Sequence, residues 1–493
     1  MGREGYDAIV VGSGPNGLAA AVELARAGWR VLVREAAGGV GGGARTLPLT
    51  IPGFLHDHCS AIHPLAAASP FFRSLPLAEH GLRFIHPPAA CAHPFDDGTA
   101  ALLLPSSRET GDTLGTDRHA WMELFDHLVE EFEALAAETL RAVLHVPRRP
   151  LLMARFGLSA IQPARALARR RFRAERARAL FAGLAAHALR PLDASPTSAF
   201  GLILGAAAHA VGWPFPAGGA QRTPDALVAI LEAAGGVLET NARVESLAEL
   251  PDARAVLLDL TPRQVLAVAG ERIPPHYRRA LGRFRYGPGV FKVDYALSGP
   301  VPWRSRDCAR AGTVHLGGTL DEIATAARMV AAGELPRRPF VLLAQHTLFD
   351  PSRAPPGRHT AWAYCHVPHG FIGDATAAME EQIERFAPGF RDVVVARAVR
   401  GPRQLQLENP NLLGGDVGGG ESSLWQTVFR PTVRAIPWST PVPGLFLCSA
   451  STSPGAGVHG MCGHLAARAA LRSAQRGRCW RTMSSNAVRG SPS

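Results

Sequence analysis

The chain has 493 residues, 47% of them hydrophobic and 19% charged, and a formal net charge of +11. That balance describes a globular protein and excludes a disordered one, and the length alone gives about three domains as a soft prior. Lys292 is the sole lysine, so the basic charge is arginine dispersed along an Ala/Arg/Pro/Gly-rich sequence, which argues for compositional bias and against a nucleic-acid-binding stripe.

Seven cysteines (Cys59, Cys91, Cys308, Cys365, Cys448, Cys462 and Cys479) are scattered, without a C-x-x-C pair, so neither a disulfide framework nor a zinc knuckle is indicated. The first strand is expected to begin by Tyr6, with no signal peptide ahead of it. The longest weakly apolar stretch, 199–215, carries His209 and Pro214 and falls short of the ~20 residues of a membrane span. The expectation is a soluble, cytoplasmic protein of undetermined oligomeric state.

Residues 7–17 form an apolar strand that runs into Gly12, Gly14 and Gly17, with Pro15 and Asn16 between the last two. A second apolar run, 31–33, precedes Glu35. Gly12 allows the tight turn, Gly14 removes a Cβ from the path of a pyrophosphate at the helix start, and Gly17 lets that helix pack on the strand. Glu35 stands where a carboxylate is expected to accept hydrogen bonds from a ribose. Taken alone, this β-α-β unit of residues 5–36 suits NAD or FAD.

Gly41, Gly42, Arg45 and Thr46 belong to a second glycine cluster, 38–46, where close backbone approach and the Arg45 charge suit a pyrophosphate. A helix is predicted over 121–144, and 165–178 is strongly basic. At helical spacing Ala164, Leu167, Ala168, Phe172 and Ala179 form an apolar stripe opposite Arg165, Arg169, Arg170, Arg173 and Arg176, a pattern able to lie on a membrane surface. A helix over 223–234, a strand over 237–244 and another over 255–260 return the chain to the first sheet.

Over 289–297 the pattern alternates, with Phe291, Val293 and Tyr295 on one face and Lys292 and Asp294 on the other. Lys292 is either the partner of Asp294 or a catalytic ammonium. A last strand (445–448), glycine-rich turn and helix (464–471) put a second helix N-terminus where it can face an electron-rich ligand group. His56 and His58 alternate on an extended segment, but no further ligands follow, so no metal site is expected.

The blocks 10–17, Glu35, 41–46, 56–64, 287–294, 409–420 and 448–463 together resemble the phytoene desaturase-like flavoproteins of the amine oxidase superfamily. The resemblance is closest to the branch of pyridine nucleotide-disulfide oxidoreductase domain-containing protein 2. It implies an α/β fold, with a Rossmann-like FAD-binding domain in discontinuous segments (1–75, 215–265 and 405–476) and a mixed α+β substrate domain (76–214 and 266–404); beyond it, 477–493 has the composition of a disordered tail.

FAD is the implied cofactor, with Gly12, Gly14 and Gly17 on its pyrophosphate, Glu35 on the ribose, Arg45 on the phosphates and the Val244 backbone on the adenine. Ala450, Gly457, Val458 and His459 fall at the isoalloxazine ring, and His58, His63 and His459 join Lys292 as proton-transfer candidates. Only residues 245–254 remain where this group usually has a small meander.

The implied function is hydride transfer between FAD and a hydrophobic, isoprenoid or polyene small molecule, in desaturation, saturation or isomerisation. One alternative is an amine oxidase, disfavoured because 448–463 has no aromatic residue for a cage. The other is a non-catalytic binding protein like the GDP-dissociation inhibitors, disfavoured by glycine motifs at both ends of the chain.

Overall fold

A computed structural model describes residues 5–477 and 480. In chain order the strands of its two main sheets are β1 (Ala8–Val11), β2 (Val31–Arg34), β3 (Ala89–Pro94), β4 (Ala100–Leu103), β5 (Val237–Glu239) and β6 (Ala255–Leu258), then β7 (Gly289–Leu297), β8 (Ala311–Leu316), β9 (Val341–Ala344), β10 (His359–Val367), β11 (Val394–Arg400) and β12 (Leu445–Leu447). The helices needed below are α1 (Pro15–Arg26), α2 (Pro150–Ala160), α3 (Ala164–Arg171), α4 (Glu175–Ala185), α5 (Arg222–Ala233) and α6 (Met461–Gln475).

The first sheet is parallel throughout, in the order β12-β6-β1-β2-β5. It draws on five separated stretches of the chain, the Rossmann-like arrangement expected from the opening β-α-β unit. β1 and β6 are buried along their whole length, as continuous apolar runs in a parallel sheet must be. Pro15 opens α1, which packs against both α5 and α6 and so ties the two ends of the chain together.

The second sheet runs β11-β7-β10-β9-β8-β3-β4 and is antiparallel except where β8 meets β3. β7 lies inside it and is buried at every position, so the polar face expected for Lys292 and Asp294 is an interior one.

Several local expectations are corrected. The helix expected over 121–144 is two, Arg118–Glu130 and Phe132–Thr139, interrupted where Glu131 leaves the helical region (φ −106°, ψ 25°). The basic stretch is also broken: Phe172 is extended, and the Asp117 carboxylate accepts from the backbone N–H groups of Arg173 and Ala174, both at 2.7 Å, at the start of α4.

Ala164, Leu167, Ala168, Phe172 and Ala179 are all buried in the protein core. Arg165 and Arg169 meanwhile pair with Asp321, and Arg165 also with Asp193. The apolar stripe is therefore spent on intramolecular packing and offers no membrane face. Among the described residues no helix is long and apolar enough to cross a membrane.

The strand expected over 237–244 stops at Glu239, because Asn241 takes a left-handed conformation (φ 53°) and its N–H turns back to the Ala37 carbonyl at 2.9 Å. The strand expected over 255–260 ends at Leu258, and the last helix starts at Met461 rather than His464. Residues 478, 479 and 481–493, within the expected disordered tail, lie outside the described residues. Trp480 lies inside them, 2% exposed, bridged to Ala253 and 4.8 Å below the Arg272 guanidinium.

Candidate functional site

A cavity of about 1050 Å³ extends from the start of α1 between the two sheets. This is at the upper end of the ~300–1,000 Å³ usual for small-molecule sites, enough for an elongated ligand and a second molecule beside it. Its walls combine the fingerprint, the second glycine cluster, β7, β10 and the turn before α6.

At the fingerprint, Gly12 has φ +99°, and a Cβ on Gly14 would stand 2.6 Å from Asp259 Oδ2. A Cβ on Gly17 would meet the Gly12 carbonyl oxygen at 2.1 Å. Gly12, Gly14, Pro15 and Asn16 line the cavity, whereas Gly17 is buried behind them as the contact between helix and strand. Glu35, at the end of β2, accepts from the Ser13 N–H (2.8 Å), the Ser13 hydroxyl (2.6 Å) and the Ala37 N–H (2.8 Å) and lines the same wall.

The second glycine cluster docks on the first. The Gly41 N–H bonds the Ser13 carbonyl at 3.0 Å, and a Cβ on Gly42 would come within 3.2 Å of Gly14 Cα. Arg45 lines the cavity, held by the carbonyls of Gly42 (2.8 Å) and Glu408 (3.1 Å). Thr46 lies elsewhere: its hydroxyl donates to Asp57 Oδ1 at 2.7 Å, and Gly41 likewise supports the wall without lining it. Val244 is buried and lines the cavity beside Arg243 and Glu245; the shortened stretch after it holds a single 3-10 turn, Leu247–Glu249.

Opposite, Ala450, Gly457, Val458 and His459 form a continuous wall. Gly457 has φ +122°, and His459 Nδ1 accepts from the Met461 N–H at 3.0 Å, which leaves the proton on Nε2. A Cβ on Gly463 would stand 1.8 Å from the Asn16 carbonyl oxygen, so this turn and the fingerprint are locked together where α6 meets α1.

His63 lines the cavity, with Nε2 3.2 Å from the Ser60 hydroxyl. His58 does not; it turns away to Glu408 Oε2 at 2.6 Å. Burial pushes His63 and His459 down to about 4. Burial and the Arg45 charge do the same to His58. All three are neutral imidazoles at pH 7, able to accept or relay a proton but not to act as stored acids.

Lys292 reaches the cavity from β7 and is ion-paired with Asp294 behind it, and both side chains are buried. Burial lowers the lysine and raises the aspartate, while their mutual attraction opposes both shifts. Arg400 stands 3.8 Å from Asp294 and 3.0 Å from Glu408, extending the pair into a chain of charges.

Three wall residues escaped sequence reasoning. Trp362 and Tyr364 project from β10 with ring centroids 5.1 Å apart at 80°, and Lys292 Nζ is 5.7 Å from the Trp362 ring. Their two-residue spacing on a strand was the available signal. Asp259 closes the apolar run of β6 and accepts from the Gly17 N–H at 3.0 Å. A carboxylate at the C-terminal end of a parallel strand marks the usual ligand edge of such a sheet.

The donor set fits a flavin dinucleotide. Glycine cradles that a Cβ would fill lie at both ends, and two buried polar atoms, Asn16 Oδ1 and Ser451 Oγ, border the cavity without a hydrogen-bond partner among the described residues. Buried polar atoms of this kind need a partner, which an extended polar cofactor supplies.

Comparisons with known proteins agree. The chain is 26% identical to mouse (Mus musculus) pyridine nucleotide-disulfide oxidoreductase domain-containing protein 2, over 95% of this chain and 93% of that one. It is 26% identical to the lycopene-forming phytoene desaturase of Pseudescherichia vulneris over 52% of this chain and 55% of that one. The fold matches a solved structure of putrescine oxidase bound to putrescine with a TM-score of 0.60 and 19% identity, covering 96% of this chain and 99% of that one. The cofactor is FAD. With residues 16–476 matching that family, the chain belongs to the flavin containing amine oxidoreductases.

Proposed function

We propose that this FAD-dependent oxidoreductase oxidises the carbon next to the nitrogen of an amine with a largely apolar body. The observation that carries this reading is the Trp362–Tyr364 corner beside Lys292. It supplies the aromatic wall that the segment 448–463 lacks, and the objection to an amine substrate falls with it. The family match and the likeness to putrescine oxidase favour the same reading.

FAD supplies the hydride acceptor. The protein's part is to bind, orient and keep water out. In this proposal Gly12, Gly14, Pro15, Asn16, Glu35, Gly42, Arg45 and Val244 hold the dinucleotide, with Gly17, Gly41 and Thr46 bracing them. Ala450, Gly457, Val458 and His459 hold the ring.

On the wall around Lys292 the carboxylates are engaged, Asp294 by Lys292, and Glu408 by His58 and Arg400. An ammonium finds no free counter-charge there, so the amine binds neutral. Flavin reduction should accordingly rise with pH as the amine loses its proton. The test is anaerobic bleaching of the flavin by apolar primary amines against polyenes; bleaching by polyenes alone would reverse the assignment. That second reading, desaturation of a hydrophobic polyene, is favoured by the apolar wall of Leu140, Met153, Phe156, Phe200, Ile203 and Leu204.

Lys292→Met isolates the role of the ammonium. Removing one member of a buried pair costs about 3–5 kcal/mol of stability. Lys292→Met/Asp294→Asn should recover most of that loss, whereas flavin reduction should stay slowed by ~10²-fold or more in both variants if the ammonium serves the reaction. Recovery of rate together with stability would make Lys292 structural.

Asp259 gives a pH signature. Burial, reinforced by the Glu35 charge, pushes its carboxyl up to about 7. A raised carboxyl contributes stability that is present below its unfolded value and lost as pH rises through the folded one. The apoprotein should therefore lose stability between about pH 4 and pH 7. FAD affinity should fall over the upper part of that window as a carboxylate forms at the start of α1, where the pyrophosphate is proposed to bind. Fluorescence titration of apoprotein with FAD should show this decline in the wild type and a flat profile in Asp259→Asn; a flat wild-type profile removes Asp259 from the phosphate site.

A further inference from the structure

α2 is apolar on both sides. Leu152, Phe156 and Ala160 face inward and are buried, while Leu151 and Leu158 face outward at 81% and 74% exposure. A helix apolar all round is normally covered on both faces. The loop before it adds exposed Val143, Leu144 and Val146, the last at 90%, and Ile161 follows it. Six large apolar side chains are thus exposed within a stretch of nineteen residues, 143–161.

Basic residues are set among them. Arg148, Arg149 and Arg155 are exposed and Arg141 is half-buried. Among the described residues Arg148 and Arg155 have no ion pair, and Arg149 has only Glu131 at 4.0 Å. Glu138, the nearby buried carboxylate, is turned inward to His145 and the Arg148 N–H. The surface is therefore both apolar and cationic.

The same segment forms one wall of the cavity, through Leu140, Val143, His145, Met153 and Phe156. The apolar surface and the cavity share their side chains, and Val143 belongs to both.

We propose that this face docks on an anionic lipid bilayer, with Val146, Leu151 and Leu158 in the acyl boundary and the arginines among the headgroups. Leucine and arginine together on an amphipathic surface are what such an interface holds. A second copy of the chain is the poorer occupant, because a two-fold contact sets this patch on itself and brings the arginines of one copy against those of the other. Docking here places the cavity wall at the bilayer and gives an apolar substrate a route that avoids water. The inference concerns the surface alone and holds whether the substrate is an amine or a polyene.

The test is flotation of the full-length, flavin-loaded protein with vesicles of phosphatidylcholine alone and with phosphatidylglycerol added. The wild type should float with the anionic vesicles, and Leu151→Glu/Leu158→Glu should lower the bound fraction at least tenfold while retaining flavin absorbance and thermal midpoint. Arg148→Gln/Arg155→Gln should weaken binding in a salt-dependent way. Ile372→Glu, at a residue 94% exposed outside this segment, should float like the wild type. Absence of wild-type flotation, or equal flotation of Leu151→Glu/Leu158→Glu, overturns the proposal. So does a dimer in sedimentation velocity that the same double variant dissolves, which would assign the face to a second copy.

Discussion

Gly17→Ala is expected to abolish FAD retention and to lower the stability of the apoprotein as well. The added Cβ would sit 2.1 Å from the Gly12 carbonyl oxygen and 3.1 Å from the Gly12 carbonyl carbon. That obstacle is backbone at the end of β1, in the interior of a parallel sheet, and it has no rotamer by which to yield. α1 would have to tilt off the sheet, but its other side is fixed where Gly463 in α6 meets Asn16, with 1.8 Å available to a Cβ there. Overpacking of this kind costs about 1–3 kcal/mol or more. Gly14→Ala is the informative contrast: its Cβ would meet the Asp259 carboxyl oxygen at 2.6 Å, the end of a side chain that can shift at the cost of its bond from the Gly17 N–H, whereas the obstacle at Gly17 is backbone. Thermal unfolding of both apoproteins should place Gly17→Ala well below Gly14→Ala, and flavin absorbance after gel filtration should be absent from the former. A Gly17→Ala protein that keeps its flavin and the wild-type midpoint would mean that the helix–strand contact is not what holds this end of the site.

That contact was legible in the sequence because everything it needs lies within one β-α-β unit: an apolar run, glycines at fixed intervals, Pro15 opening a helix and Glu35 ending the next strand. The turn at 448–463 was legible for the same reason. What escaped depends on distant partners. The break at Phe172 is set by Asp117, whose carboxylate takes the N–H groups of Arg173 and Ala174, and no local pattern in a run of arginines reveals it. The burial of that apolar stripe had the same origin, since periodicity identifies an apolar face without saying what covers it. Trp362 and Tyr364 escape a local reading because the aromatic wall comes from a strand of the other sheet, far in sequence from the C-terminal segment that it faces across the cavity. Thr46 sits in a motif of cofactor-binding type, yet its hydroxyl is committed to Asp57, a pairing that only the tertiary fold creates.

Asp57 is a buried anchor, and removing its partner is expected to cost as much stability as any change proposed here. It is fully buried, and it is held by Arg353, itself fully buried, which also bonds Asp350 Oδ2 at 3.1 Å and the Pro216 carbonyl at 2.8 Å. Burial alone would raise the Asp57 carboxyl, but Arg353 foremost, with His346 and the Ala220 N–H, brings it down to about 2. Arg353→Met keeps the bulk and deletes the charge, leaving a buried carboxylate uncompensated, and should cost about 3–5 kcal/mol near pH 7. The sign of the pH dependence identifies the cause. In the wild type a depressed carboxyl contributes stability that is present above the unfolded value, near 3.8, and is lost as pH falls toward 2. In Arg353→Met the same carboxyl gains from being protonated, so the gap between variant and wild type should narrow as the solution is acidified. Arg353→Met/Asp57→Asn should recover part of the deficit at pH 7. The His56–Asp57 strand leads directly into the stretch that places Ser60 and His63 on the cavity wall, so flavin retention should fall with stability in the single variant and return in the double. Denaturant unfolding across pH 4–8 measures the gap. A deficit that stays constant with pH would place the effect in the lost packing of Arg353 rather than in the charge of Asp57.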